Sequence, residues 1–183
     1  MVESDVIGIL RGLFESRGSK ARRGGLSITE HSLQTAHLAE REQAPSALVC
    51  AALLHDIGLL LDDASVLGAH HDVTGFKWLS RFFPPAVTEP IRHHVHAKHY
   101  LVTRSPHYKT RLSSDALRRL HRDGGKLDDL ELHRFGRSPH FLPSLLLRRW
   151  IDTAKIPGLR VPDFDHFVPA LEEQLAETTR ATA

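Results

Sequence analysis

The stretch LVCAALLHDIGLLL, residues 48–61, places a histidine and an aspartate side by side in an otherwise apolar run. A run of this kind is typical of a buried segment, and an unpaired charge removed from water costs so much free energy that the group neutralises or finds a partner. His55 and Asp56 therefore need compensation. Two explanations stay open: the two side chains satisfy each other, or a metal ion binds them with ligands from elsewhere in the chain.

The overall composition is that of an ordinary globular protein, with 41% hydrophobic residues, 25% charged residues and a net charge of +2. The longest apolar run is too short to span a membrane and the N-terminus lacks a signal-peptide core, so we expect a cytoplasmic protein. The basic residues form no sustained stripe for nucleic acid. A single cysteine, Cys50, excludes an internal disulfide, whereas fourteen histidines are unusual, and histidine is the commonest metal ligand.

Helical periodicity runs through the chain without a strand pattern or a repeat, which predicts an all-α domain over residues 1–183. Ser27 and Glu30 have the spacing of a capping box. Thr88 and Asp165 are the expected caps of two later helices. The predicted helices are residues 4–16, a helix after Ser27, one from Pro45 to near Gly58, and residues 70–83, 89–101, 112–122, 142–156 and 167–177.

Several of these helices carry a candidate metal ligand, and metal sites in helical bundles are built from side chains of facing helices. A lone histidine on a helix is more often a satisfied polar residue than a ligand, but an adjacent histidine and aspartate in an apolar segment are rarer. Periodicity alone does not choose between neighbouring histidines. The candidates are His31, His55, Asp56, His70 or His71, His93 or His94, and Asp152.

The order of these residues resembles the H, HD, D pattern of the HD-domain superfamily, all-α metalloproteins best known as phosphohydrolases. Two further histidines between the HD pair and the last aspartate are similar to those of the members that bind two metals. The resemblance implies a compact helical bundle with a metal site in its core. The six ligands that it implies are His31, His55, Asp56, His71, His94 and Asp152.

Longer strings narrow the resemblance to one branch of this superfamily. ITEHSLQTAHLAE, AALLHDIG, HDVTGFKWL, FPPAVTEPIRHHVHAKHYL and LRRWIDTAK look like the mixed-valent diiron oxygenases that cleave the carbon–phosphorus bond of hydroxylated aminophosphonates, relatives of myo-inositol oxygenase. The similar region spans residues 28–160. It leaves an N-terminal helix and basic loop at residues 1–27 and a C-terminal helix at residues 161–183.

The same strings distinguish between neighbouring histidines. A histidine followed by an acidic residue, two variable positions and glycine selects His71 rather than His70. The string RxHVxAK selects His94 rather than His93, and it places Lys98 one helical turn after His94.

The resemblance implies a non-haem centre of two iron ions, Fe²⁺ and Fe³⁺. Nitrogen and oxygen donors without thiolate also suit manganese or another divalent metal. Asp56 is the expected catalytic bridge, because a carboxylate has two oxygens to share. The partners would be O2 and a small hydroxylated anion, such as a phosphonate, bound by Lys98, Arg149 and Gln34. Lys98 is also a catalytic candidate.

One departure and two alternatives accompany this prediction. Ala21 and Gly24 replace a tyrosine and a glutamate that serve substrate-amine recognition and site closure in the aminophosphonate enzymes, so we expect a different substrate.

A phosphohydrolase could use the same ligands to direct water at the phosphorus of an ester. A histidine-rich regulatory module without activity is the third possibility, and the oligomeric state is not specified by the sequence.

Overall fold

A computed structural model describes residues 3–19, 25–61, 71–112, 114–122 and 124–182. Within these ranges the chain forms α-helices and a short 3₁₀ helix, Phe164–Phe167, and no strand, which confirms the all-α prediction. None of the described helices is both long enough and apolar enough to cross a membrane. The α-helices are α1 (Glu3–Arg17), α2 (Ile28–Arg41), α3 (Ser46–Leu54), α4 (Gly58–Leu61), α5 (His71–Leu79), α6 (Pro85–Arg104), α7 (Pro106–Thr110), α8 (Ser114–Arg122), α9 (Asp129–Gly136), α10 (Phe141–Thr153) and α11 (Val168–Thr182).

The core is built around α3, which contains the apolar run that precedes the HD pair. Every residue of α3 from Leu48 to Leu54 is buried, as expected for a helix that is hydrophobic on all sides. Helices α2, α6, α10 and α11 pack against it. Ile91 of α6 and Leu147 of α10 are fully buried in the same cluster. The HD pair therefore enters the interior at the end of the most buried helix.

The helix that was predicted to continue to near Gly58 ends at Leu54 instead. A turn contains the HD pair, and α4 begins at Gly58. The cause is the close packing of α5 against this turn: a Cβ on Gly58 would lie 2.9 Å from the Gly75 amide nitrogen and 2.9 Å from the His71 carbonyl carbon. Only glycine allows α5 to approach this closely, and this approach brings His71 near Asp56.

Two predicted caps are wrong, and a local interaction explains each. Helix α6 begins at Pro85, before Thr88, because proline is favoured at the first helical position, where its missing N–H is not needed. The 3₁₀ helix is capped by Asp163, which accepts a hydrogen bond from the His166 amide. Asp165 instead pairs with Arg11 of α1.

Other helix ends follow the sequence signals more closely. The predicted capping box is confirmed: the Ser27 Oγ accepts from the Glu30 amide at 3.1 Å, and the Glu30 carboxylate accepts from the Ser27 amide at 2.8 Å. Helix α10 ends at Thr153, before the predicted end at residue 156. Helix α7 lies outside the predicted helices, and Ser105 caps it by accepting from the Tyr108 amide at 3.2 Å.

Candidate metal centre

Three helices and one turn bring five of the six predicted ligands together. Their ligand atoms form two overlapping groups, and within each group they lie within 4.8 Å of one another. Asp56 belongs to both groups. The first contains His31 of α2, His55 and Asp56; the second contains Asp56, His71 of α5 and His94 of α6.

The two oxygens of Asp56 face different groups. Its Oδ2 lies 3.1 Å from the His55 Nε2, and its Oδ1 lies 3.3 Å from the His71 Nε2. A carboxylate oriented in this way can offer one oxygen to each of two cations. The geometry therefore suits a bridging role for Asp56.

The site is buried and reaches solvent at one side. Asp56 and the imidazoles of His31, His55 and His94 are at most 3% exposed, whereas the His71 side chain is 28% exposed. The first group is therefore shielded from water, and His71 is the part of the second group that contacts solvent.

Backbone carbonyls orient three of the four imidazoles. In each case the Nδ1 lies at hydrogen-bonding distance from a carbonyl oxygen, which can only accept, so we assign the proton to Nδ1. In the neutral ring the Nε2 then carries the lone pair, which is the arrangement found in metal-binding histidines. The pairs are His31 with Ala154 (2.7 Å), His55 with Ala52 (2.8 Å) and His94 with Ile91 (2.7 Å).

The chemistry of this donor set fits a cation better than it fits a simple hydrogen-bonded pair. Four imidazoles surround one carboxylate, and the Nε2 atoms of His71 and His94 are only 3.3 Å apart. Two lone pairs that face each other repel unless a proton or a cation lies between them. The only cysteine, Cys50, lies in the core of α3, where burial raises the pKa of its thiol. Nitrogen and oxygen donors without thiolate suit iron, manganese or zinc.

Asp152, the sixth predicted ligand, belongs to neither group of converging ligand atoms. Its carboxylate accepts hydrogen bonds from the Arg148 guanidinium and, at 2.5 Å, from the Tyr108 hydroxyl. Burial acts to raise the pKa of Asp152, but the charge of Arg148 and these hydrogen bonds outweigh burial and lower the pKa to about 2. Asp152 is thus ionised at neutral pH, close to the end of α10. Its role as a ligand stays a prediction.

Two of the predicted substrate-binding residues have other partners in the structure. Arg149 pairs with Glu42, and both side chains are about half exposed. Gln34 is buried, and its amide donates to the Ile156 carbonyl at 2.7 Å and accepts from the Ile156 amide at 3.1 Å. Arg148, the neighbour of Arg149, has the buried position instead. Substrate binding by Arg149 or Gln34 stays a prediction that requires these contacts to break.

Lys98, the third predicted substrate-binding residue, is also buried. It lies on α6 one turn after His94 and is 8% exposed. On another face of α6, His93 and His96 pack against Phe135 of α9, with ring centroids 5.9 and 4.8 Å apart. Burial lowers the pKa of both of these imidazoles. Neither belongs to the two ligand groups, so α6 contributes His94 alone.

A cavity of about 520 Å³ lies beside the face of α6 that carries His93 and His96. Its walls include His93, His96 and Phe135, and none of the predicted metal ligands lines it. The cavity is therefore separate from the ligand groups.

Tyr108 was not among the predicted site residues, because no helix was predicted over α7. The pairing of Arg148 with Asp152 could have been predicted from the sequence, since residues four apart on a helix are neighbours. Burial raises the pKa of the Tyr108 phenol, which keeps its hydroxyl a hydrogen-bond donor. The carbonyl of Ala154, which orients His31, had no signal in the sequence. The positions of His70, Ala21 and Gly24 lie outside the described residues.

The chain is similar to a known protein family and to two named enzymes. The HD domain family matches residues 28–127, more than half of the chain. Hydroxymethylphosphonate dioxygenase of Gimesia maris is 38% identical over 170 residues, which cover 89% of this chain and 85% of that protein. The (1-hydroxy-2-(trimethylamino)ethyl)phosphonate dioxygenase (glycine-betaine-forming) of Leisingera caerulea is 31% identical over 179 residues, which cover 93% of this chain and 91% of that protein. The chain therefore belongs to the HD-domain family, in the branch that includes these phosphonate dioxygenases.

Proposed function

We propose that this protein is an O2-dependent dioxygenase that cleaves the carbon–phosphorus bond of a small hydroxylated phosphonate at a centre of two iron ions. The observation that carries the proposal is the position of Asp56, whose two oxygens face two separate groups of histidines. Two relatives that match most of the chain are named phosphonate dioxygenases, which supports the same activity.

The proposed ligands divide between the two ions. His31 and His55 would hold one ion, His71 and His94 the other, and Asp56 would bridge them. Asp152 would complete the set as the sixth ligand. When bound, the two irons supply one-electron chemistry toward O2 and Lewis acidity toward the substrate hydroxyl. Manganese or another divalent ion would fit the same donors, so the proposal of iron depends on the resemblance to the diiron oxygenases.

Lys98 is the proposed binding residue for the phosphonate. It is buried one turn from His94, and a buried ammonium interacts strongly with an anion because little water screens the charges. The partly exposed His71 marks the side from which the substrate would enter. Lys98 would hold the phosphonate beside the second ligand group, with the substrate hydroxyl directed toward the metals.

The buried charges favour a substrate without an ammonium group. Among the described residues, Asp56 and Asp72 are the acidic side chains that are buried. Asp56 is assigned to the metals, and Asp72 lies in the first turn of α5, where a helix N-terminus already favours its charge. The resemblance places Ala21 and Gly24 where the aminophosphonate enzymes carry a tyrosine and a glutamate that serve amine recognition and site closure. We therefore propose hydroxymethylphosphonate, the substrate class in the name of one relative.

The products follow from the chemistry of this substrate. O2 adds two oxygen atoms, the carbon–phosphorus bond breaks, the carbon is oxidised to formate and phosphorus leaves as inorganic phosphate, with release of one proton. Burial of the ligands contributes by excluding water, which limits unproductive consumption of oxygen. The required partners are the small anion and O2, while a cytoplasmic location and the absence of nucleic-acid binding stay predictions.

The experiment that tests this proposal measures turnover of hydroxymethylphosphonate. The protein is purified without oxygen, loaded with Fe²⁺ and given limited O2, and O2 consumption, formate and phosphate are measured together. We expect equal amounts of the three. The control is Asp56→Asn, which should form neither product. Hydrolysis of a phosphate ester by the metal-loaded protein without O2, together with no oxidation of the phosphonate, would show a phosphohydrolase instead.

A further inference from the structure

Asp152 lies in a hydrogen-bonded cluster with Tyr108 and Arg148. Its Oδ2 accepts from the Tyr108 hydroxyl at 2.5 Å and from the Arg148 Nε at 2.9 Å. Its Oδ1 accepts from the Arg148 Nη2, and the Lys155 Nζ lies 3.5 Å from the same atom. The Asp152 side chain is 16% exposed, whereas that of Lys155 is 56% exposed.

The two oxygens of Asp152 are therefore not equivalent. A carboxylate has about four lone-pair directions, two on each oxygen. Both directions of Oδ2 are used by donors from the partly buried Tyr108 and the buried Arg148. One direction of Oδ1 faces the exposed Lys155, and ion pairs with exposed side chains contribute little to stability. Oδ1 is thus the oxygen that can exchange a partner at low cost.

The chain segment that follows Asp152 contacts helix α2 beside the first ligand group. The carbonyl of Ala154, two residues after Asp152, accepts from the His31 Nδ1. Gln34, one turn after His31 on α2, holds Ile156 by two hydrogen bonds. Hydrogen bonds therefore join the segment after α10 to α2 at His31, the histidine that would hold the first ion.

We propose that Tyr108 is a positioning residue for the metal centre. With Arg148 it holds Oδ2 of Asp152, so that Oδ1 can exchange Lys155 for the ion bound by His31 and His55. This inference rests on the proposed function, because it takes Asp152 as the sixth ligand. Tyr108 is itself placed by Ser105, whose hydroxyl caps α7 at the Tyr108 amide.

The test compares Tyr108→Phe with Tyr100→Phe. The chain has two tyrosines, and Tyr100 packs between Phe135 and Phe141, with ring centroids 5.7 and 5.0 Å away. Both changes remove one hydroxyl. Stepwise binding of Fe²⁺ to the metal-free proteins is measured without oxygen by titration calorimetry and chelator competition, with circular dichroism as the folding control.

We expect wild type and Tyr100→Phe to bind two ions with the same affinities. Tyr108→Phe should bind one ion normally and the other about tenfold more weakly, which is the usual effect of losing a residue that orients a ligand. Lys155→Met is the second variant. This change removes the ammonium group that the metal would displace from Asp152. The Lys155→Met protein should therefore bind both ions at least as tightly as wild type.

Each outcome has a distinct meaning. Wild-type affinities for both ions in Tyr108→Phe would overturn the positioning role and leave the two-metal centre intact. Equal weakening by Lys155→Met and Tyr108→Phe would also overturn it, because Oδ1 would then need Lys155. A wild-type protein that binds fewer than two ions would contradict both this inference and the proposed function.

Discussion

Replacing Gly58 with alanine tests how the fold brings the two ligand groups together. A Cβ at this position would lie 2.9 Å from both the Gly75 amide nitrogen and the His71 carbonyl carbon, and it would lie closer still to the His71 carbonyl oxygen. Ordinary contacts of a Cβ begin at 3.4 Å, so α5 and the turn that contains Gly58 must separate by at least roughly half an ångström. Because His71 is the first residue of α5, its imidazole moves with this helix.

The size of this shift decides the expected effect. Metal–ligand distances tolerate deviations of about 0.2 Å, which is less than the required displacement of His71. We expect Gly58→Ala to lose the ion held by His71 and His94 and to keep the one held by His31 and His55. Overpacking of a well-packed core typically costs about 1–3 kcal/mol, so the free energy of unfolding should fall by a similar amount.

The assay combines metal analysis after gel filtration with urea unfolding of the metal-free protein. The matched control is Gly8→Ala in α1, where a Cβ meets no atom within 4 Å. That change should leave metal content unaltered and stabilise the helix by about 0.5–1 kcal/mol. If Gly58→Ala held two metals and unfolded at the same urea concentration as Gly8→Ala, the close approach of α5 would not control the site.

Three further predictions follow from the site. Asp56→Asn should lose most of both metals, because it removes the charge that the two groups share; full occupancy by elemental analysis would count against the bridge. Lys98→Met should keep its metals while KM for the phosphonate rises by an order of magnitude or more, since the variant lacks a charge-assisted contact. Arg149→Met is the comparison. An equal rise in KM in Arg149→Met would show that Arg149 also binds the substrate. Folding lowers the pKa of Asp152 from 3.8 to about 2, so its contribution to stability is complete above pH 3.8 and is lost as pH falls toward 2. The stability difference between metal-free wild type and Asp152→Asn should therefore shrink by about 1 kcal/mol from pH 5 to pH 3, and a difference independent of pH would contradict the ion pair with Arg148.

Local signals in the sequence predicted the helical class and several helix ends. The Ser27 and Glu30 capping box needs only residues three apart, and the structure contains it. Helical periodicity depends in the same way on near neighbours. It could not show that the helix before the HD pair stops at Leu54, because that break depends on contact between Gly58 and α5, a later segment of the chain.

The choice among neighbouring polar residues was the harder part of the site. Resemblance to the family, rather than periodicity, selected His94 over His93, and the structure places His94 in a ligand group. For the two arginines of α10 the prediction named Arg149, whereas the structure buries Arg148 beside Asp152. Adjacent helical residues differ by about 100° in direction, so the packing of α10 against α2, α3 and α6 decides which one faces inward.

The most direct test of the central claim is the anomalous diffraction of crystals of the iron-loaded protein, recorded at the iron absorption edge. We expect two iron peaks on opposite sides of the Asp56 carboxylate, one beside His31 and His55 and the other beside His71 and His94. A single peak, or iron bound away from Asp56, would contradict this claim.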